Sequence, residues 1–224
     1  MNDTYTNFRK IISCWIKRKI LEFSRQDRGC NNVFLISKTA AFSKCKMNVI
    51  GSNNKIIINE GCSFNKVTFF MLGNNNVINI SENVCFYRGG DLWIEDDGCL
   101  IEIGKDTTIE EAHIAVTEPG SKISIGEDCM FAYDIDLRTG DSHSIIDSTT
   151  NRRINYARNV TIGDHVWIAA HSSILKGADI AKNSVIATRS VVTKPFSQEG
   201  AIIGGNPAVV LKNNIVWDRS RIYE

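Results

Sequence analysis

The sequence is short of the features that most often announce a function. It carries 26 Lys and Arg against 25 Asp and Glu over 224 residues, a net charge of +1. Without a basic excess, a chain devoted to gripping nucleic acid is excluded, because phosphate contacts need one. No apolar run approaches the roughly 20 residues of a membrane-spanning helix. Neither a Gly-rich phosphate loop nor a Gly-x-Gly-x-x-Gly dinucleotide fingerprint occurs, so a nucleotide-bearing ligand would be held in another way. Histidines number only four, which narrows the search for a general base. The seven cysteines (Cys14, Cys30, Cys45, Cys62, Cys85, Cys99, Cys129) lie far apart with no Cys-x-x-Cys pair, and no signal peptide opens the chain. A cytoplasmic protein with free thiols is expected.

With 43% hydrophobic residues the chain can bury the core of one soluble domain. Residues 1 to about 28 differ from the rest. Phe8, Ile11, Ile12, Trp15, Ile16, Ile20 and Phe23 recur at helical spacing, among Arg9, Lys10, Lys17, Arg18, Lys19, Arg25 and Arg28. This predicts a short N-terminal amphipathic helix, with 1–30 as the first unit. Its basic face allows peripheral association with an anionic membrane. Capping the open end of a solenoid, or packing on another subunit, is favoured, because a solenoid needs caps.

From about residue 33 short β-type runs alternate with Gly, Asn and Asp. Ile162, Ile168, Ile174, Ile180, Ile186 and Val192 fall six apart, and Val166, Ser172, Ala178, Ser184 and Ser190 follow the first five by four. A lone strand would alternate with period two. A large inward residue followed by a small one at a tight corner describes a parallel β-helix of hexapeptide repeats. Three sixes close a triangular coil of 18 residues, stacked at about 4.8 Å. Weaker copies place Ile58, Ile80, Ile103, Ile125 and Ile162 at one inward position, 22, 23, 22 and 37 residues apart. The early coils therefore carry about four extra residues, expected at a corner, and the last interval carries a protruding loop at about 138–159. The coil spans 31–205, and 206–224 is a C-terminal tail. Cys62 and Cys129 take the small corner position, which makes them core residues and leaves a cysteine metal site without support; no metal is expected.

Two stretches, GDHVWIAAHSSILKGADIAKNSVIATRSVVTK and GGNPAVVLK, resemble the hexapeptide-repeat acyltransferases. That resemblance implies an all-β fold with a left-handed course, a homotrimer, and acetyl transfer from acetyl-CoA in the groove between neighbouring subunits. RTGDSHSIID in the loop is similar to the catalytic segment of the bacterial surface-polysaccharide O-acetyltransferases, such as those of polysialic acid capsules and O-antigens. In them a His acts as base and a Trp of the following coil faces it. The matching residues are His143 and Trp167.

A sugar hydroxyl is almost wholly un-ionised near neutral pH, so its attack on a thioester calls for a positioned base, and His suits that task. Asp141 or Asp147 beside His143 would hold one ring nitrogen, unless both serve only as turn residues. Trp167 stands in the outward phase between Val166 and Ile168, where it would lie along the pantetheine arm, with a main-chain N–H of Ala169 or Ala170 polarising the carbonyl. The resemblance implies further CoA contacts at Thr188, Arg189, Lys194, Pro207 and Lys212, although ATRSVV departs from the usual GxGSVV. On the acceptor side stand Arg138, Asp147, His113 and Arg152; with Arg153 and Arg158 the loop arginines suit an acidic glycan. Three rival readings are a small acceptor (nucleotide sugar, serine or antibiotic), a non-catalytic scaffold, and a γ-carbonic-anhydrase-like metal site. The last would use His165 and His171, six apart and expected to stack on one face.

Overall fold

A computed structural model describes residues 23–223. Among them there is no helix, and parallel strands wind into a three-faced coil. The first face holds seven strands: Val33–Ile36, Lys55–Ile58, Val77–Ile80, Leu100–Ile103, Lys122–Ile125, Val160–Ile162 and Asp179–Ile180. Their registers stack Ile36, Ile58, Ile80, Ile103, Ile125, Ile162 and Ile180 in one inward column. The spacing rule is thus a physical pile of isoleucines, and the β-helix expectation holds.

The second face stacks Phe42, Phe64 and Phe86 with ring centroids 5.3 and 5.7 Å apart. It continues through Ile109, Phe131, Ile168, Ile186 and Ile203. Between the first and second faces the corner is filled by Cys62, Val84, Thr107, Cys129 and Val166, all buried as expected. Ser172 and Ser190 fill the next corner of the late coils, where each hydroxyl donates to a main-chain carbonyl, Ala169 and Ala187 respectively. A buried hydroxyl without that bond would cost stability, and at these two corners the turn offers the acceptor.

The four extra residues of the early coils do not swell a corner, as the spacing led one to expect. They lengthen the third face. Strand Val67–Leu72 sends Val67, Phe69 and Met71 inward, where strand Ser173–Ile174 sends only Ile174. An outward bulge would bury nothing, whereas each fully buried Phe or Met side chain contributes about 1.5–3 kcal/mol. The wide face meets the first face through a polar ladder. The Oδ1 atoms of Asn32, Asn54 and Asn76 accept from the N–H of Asn54, Asn76 and Cys99 in the next coil, and the Asn54 and Asn76 amides donate to Gly73 and Asp96 carbonyls.

The helical reading needs correction at its end. Phe23–Arg28 is a strand, paired in parallel with Cys45–Ile50, and the Phe23 ring stacks on Phe42 at 4.5 Å. Pairing satisfies the backbone of an edge that would otherwise stand open, which outweighs helical periodicity in six residues. Among the described residues the coil therefore reaches back to 23, before the expected 31. The rest of the proposed N-terminal helix lies outside the described residues. At the other end, the described part of the C-terminal tail lies against the coil. Ala208–Lys212 pairs antiparallel with Ile202–Gly205, and the following segment folds back along the coil.

Burial raises the Cys62 and Cys129 thiols to about 11, and raises Cys99 as well. Thiolate is the reactive form. Mass-spectrometric mapping after iodoacetamide at pH 7.5 is expected to find exposed Cys30 alkylated, with Cys62, Cys99 and Cys129 modified only after denaturant is added.

Candidate active site

The loop begins where strand Ile135–Arg138 ends and closes where strand Val160–Ile162 begins, within a residue of the surplus read from the repeat. It leaves the coil where the wide third face gives way to the narrow one. Its tip is a hairpin in which Ile146–Asp147 pairs with Arg152–Arg153.

His143 is exposed, and its ring has no hydrogen-bond partner among the described residues. Its backbone is fixed on both sides. The N–H donates to the Asp141 carbonyl at 2.7 Å, and its carbonyl accepts from the Asn155 amide at 2.7 Å. Asn155, buried, also donates to Asp141 Oδ2 at 2.8 Å and accepts from the Ile145 N–H at 2.7 Å and Arg153 Nε at 3.2 Å. Arg153 in turn forms a forked pair with Glu118 of the coil below. The imidazole is thus presented from a stapled backbone, which costs it little freedom and leaves both ring nitrogens available.

Neither aspartate holds that ring. Asp141 accepts from Lys176 and from Asn155; the ammonium of Lys176 is the chief cause holding its carboxyl below the usual range. Asp147 accepts from the Thr149 hydroxyl and from the N–H groups of Thr149 and Thr150. These bonds, the Thr149 hydroxyl first, pull it down to about 2. It is a turn former, the plainer of the two readings its sequence allowed.

Trp167 points outward from the second face, half-buried, and lines a cleft of about 460 Å³ with Tyr87, Arg88, Glu110, Met130 and Arg219 among its walls. One coil on, Thr188 Oγ1 and the Arg189 N–H both bond the Ala170 carbonyl. Trp167, Ala169, Ala170, Thr188 and Arg189 therefore lie on two stacked turns. The Ala169 N–H is spent on the Ile186 carbonyl, so of the two expected amides only that of Ala170 is free among the described residues. Pro207 and Lys212 belong to the hairpin that continues this face. Lys194 stands after the third-face strand Val191–Val192, at the opposite corner, with its ammonium over the Phe196 ring, and does not join them.

His143 lines neither that cleft nor the two others described here. The second, of about 510 Å³, gathers His113 and Arg138 with Lys66, Arg88 and Asp91. There Arg138 Nε is forked onto Asp136 at 2.8 Å, and His113 Nδ1 lies 3.5 Å from Asp91. The third, of about 450 Å³, lies under the loop between Asp141, Tyr156 and Lys176. Arg152 sits on the exposed hairpin opposite Asp147, apart from the other acceptor candidates.

The stacking expected of His165 and His171 is also corrected. Six residues advance one face, so they stand at successive corners. His165 Nδ1 meets Asp128 at 2.7 Å, and His171 Nδ1 meets Asp134 at 2.6 Å. Among the described residues no three His, Cys, Asp or Glu side chains converge as metal ligands. His165 instead stacks on Trp217 at 4.0 Å and accepts the Trp217 indole N–H on its carbonyl. Arg219 reaches Asp128, Thr108 and the Cys129 carbonyl. Asn155, Lys176, Glu118, Trp217 and Arg219 are structural partners of the site that the sequence did not flag. Asn155 alone left a hint, as an Asn inside the surplus stretch.

Comparison with known proteins gives a consistent answer. Residues 159–194 match the family described as bacterial transferase hexapeptide (six repeats). The chain is 42% identical over 131 residues to the polysialic acid O-acetyltransferase of Escherichia coli O1:K1 / APEC, a stretch covering 58% of this chain and 42% of that protein. It is 40% identical over 121 residues to the polysialic acid O-acetyltransferase of Neisseria meningitidis, covering 54% of this chain and 56% of that protein. These matches thus span about half the length of the curated relatives. The crystal structure of the polysialic acid O-acetyltransferase OatWY superposes with a TM-score of 0.84 at 33% identity, over 90% of this chain and 93% of that one.

Asn155→Ala removes the staple. Amide exchange across the 143–155 loop is expected to quicken by about 10- to 100-fold, as loss of buried bonds worth about 1–3 kcal/mol would produce. Unchanged exchange would show that the loop is held otherwise. The depressed carboxyls give the sign of a pH effect. A lowered folded-state pKa supplies stability above the ordinary value of 3.8 and loses it as pH falls through the folded value. Loop protection should therefore hold at pH 5 and above and decay between about pH 4 and pH 2, read by the same exchange measurement.

Proposed function

The chain belongs to the bacterial hexapeptide-repeat transferases, in the branch that holds the polysialic acid O-acetyltransferases, and we propose that it is an acetyl-CoA-dependent O-acetyltransferase of a capsule or lipopolysaccharide glycan that carries sialic acid. With the family comes the left-handed course of the coil. The observation that carries the reading is the exposed imidazole of His143, held by its backbone on a rigid loop with no partner of its own. A group so placed serves an incoming substrate.

Acetyl-CoA supplies the thioester carbonyl that the sugar oxygen attacks. The residues present suit such a donor. Ala169 and the neighbouring Ala187 keep the outer surface of the two turns low, Ala170 offers a free N–H, and the Trp167 ring gives a flat wall. Arg189 and Lys212, both exposed, pair with phosphate. His143 takes the hydroxyl proton as the carbon–oxygen bond forms and returns it to the departing sulfur. The Ala170 N–H and the Trp167 indole donate to the carbonyl oxygen as it gains charge. Asp141 acts on loop position through Lys176 and Asn155, not on the ring.

Within one chain His143 and Trp167 belong to different sides of the coil, so the site is completed between copies. The loop that carries His143 exposes Ile145, Ile146, Ile154 and Tyr156 at 49 to 61% of their area. So much apolar surface on a protrusion fits packing against a neighbour. A cyclic trimer in which each loop reaches the next copy's Trp167 meets both observations. The cleft of about 460 Å³ that Trp167 lines shares Arg88 with a second of about 510 Å³, and such a run of adjoining clefts suits a polymer better than a small acceptor.

Thiol release from acetyl-CoA with polysialic acid as acceptor is the test. His143→Ala is expected to fall by about 10²- to 10⁴-fold, and Trp167→Ala to fall as well. Co-expressing the two variants should restore part of the activity, because some interfaces then unite an intact His143 with an intact Trp167. Full activity in His143→Ala would overturn the mechanism, and mixed trimers without recovery would overturn the shared site.

A further inference from the structure

Two clefts meet at one residue. Arg88 lines both the cleft that contains Trp167 and the one that contains His113 and Arg138. It sits at the corner between the second and third faces, in the last but one coil of the wide series before the loop. Its side chain is 62% exposed and gives a single N–H, from Nη1, to Glu110 at 2.9 Å. The other guanidinium donors have no partner among the described residues. Its carbon Cζ stands 5.8 Å from the centre of the Tyr133 ring. Tyr87, 57% exposed, joins it on the Trp167 side.

The surrounding charges are mostly satisfied in pairs. Asp91 faces His113, Asp134 faces His171, and Asp136 is forked by Arg138. Arg219, the other guanidinium of the Trp167 cleft, is committed to Asp128, Thr108 and main-chain carbonyls. What is left to meet a ligand is Lys66, the free edge of Arg88 and the terminal nitrogens of Arg138, against Glu111; of these only Arg88 lines both clefts. A free guanidinium edge with the exposed Tyr87 in the same cleft matches an acidic pyranose. The fork takes the carboxylate, and the aromatic face takes the apolar C–H side of the ring.

We propose that Arg88 is the acceptor-reading residue, binding a sugar carboxylate in a channel that runs from the His113 cleft across the corner to Trp167. This deepens the acceptor reading given above and rests on it. It also divides the site along the coil axis. The acceptor lies on the wide coils before Trp167, and the donor lies on the narrow coils after it. The sequence offered the loop arginines for this role, but Arg152 lies on the distant hairpin, and Arg138, its Nε given to Asp136, lines the His113 cleft without reaching the Trp167 cleft.

Arg88→Gln and Arg88→Lys test this, with polysialic acid and carboxyl-reduced polysialic acid as the two acceptors. Wild type is expected to show a KM for the native polymer about 10- to 100-fold below that for the reduced one, the range of a lost charge-assisted bond. Arg88→Gln should raise the native KM to the reduced value, with kcat and the acetyl-CoA KM within about twofold of wild type. Arg88→Lys should fall between, having charge without the fork. Because Arg88 is exposed, neither variant threatens the fold. If Arg88→Gln discriminates the two polymers as wild type does, or loses acetyl-CoA affinity instead, Arg88 does not read the carboxylate and the proposal falls alone. Wild type releasing no thiol with either polymer would overturn both this and the parent reading.

Discussion

Everything in this molecule answers to the register of its parallel backbone ladder. Each strand both donates to and accepts from the coils on either side of it, so a residue's inward or outward phase is inherited by every coil stacked upon it. A one-residue slip would turn the isoleucine column out to solvent. Length changes are tolerated only if they preserve that phase. Four extra residues do so by lengthening the third face as a block from coil to coil, and a long insertion does so by leaving the ladder altogether and returning in register at Val160. The reactive loop can therefore diverge from the repeat without disturbing the stack.

The same rule explains what could be read without coordinates. The ladder from Ile162 to Val192 was legible because period and phase are local, and the loop was legible as what the period could not absorb. The family resemblance then singled out His143 and Trp167. The staple was invisible because its members, Glu118, Asn155 and Lys176, are brought together only by stacking across a whole coil. Phe23–Arg28 misled because six residues show too little of either period to decide, and an open sheet edge decided instead. His165 and His171 misled because six residues is the repeat of the sequence but only a third of the repeat of the structure. Asp141 and Asp147 were read as partners of the His143 ring or as turn residues, and neither meets that ring; which atom each accepts from is a matter of distances that spacing does not encode.

The change of coil width also organises the surface. The wide coils carry paired charges, tyrosines and the two clefts that share Arg88. The narrow coils carry alanines and an unspent amide. Trp167 stands on the first narrow coil, where the two surfaces meet. Inside, the isoleucine column of the first face runs through both halves, while the third face buries three side chains in a wide coil such as that of Val67, Phe69 and Met71 and only Ile174 in a narrow one. Chemistry here is written on the outward phase, and the inward phase keeps its lines straight.

The fold-back of Trp217 and Arg219 bears on how the protein is made. A stack of coils can settle turn by turn as the chain leaves the ribosome, each new turn templated by the one before. His165 gains its stacking partner, and the Trp167 cleft gains its Arg219 wall, only after some fifty further residues have emerged. The ladder is therefore built early and the cleft is finished late. A nascent chain can be fully coiled and still lack one side of the site, so completion of the binding surface is coupled to emergence of the Trp217 and Arg219 segment rather than to folding of the core.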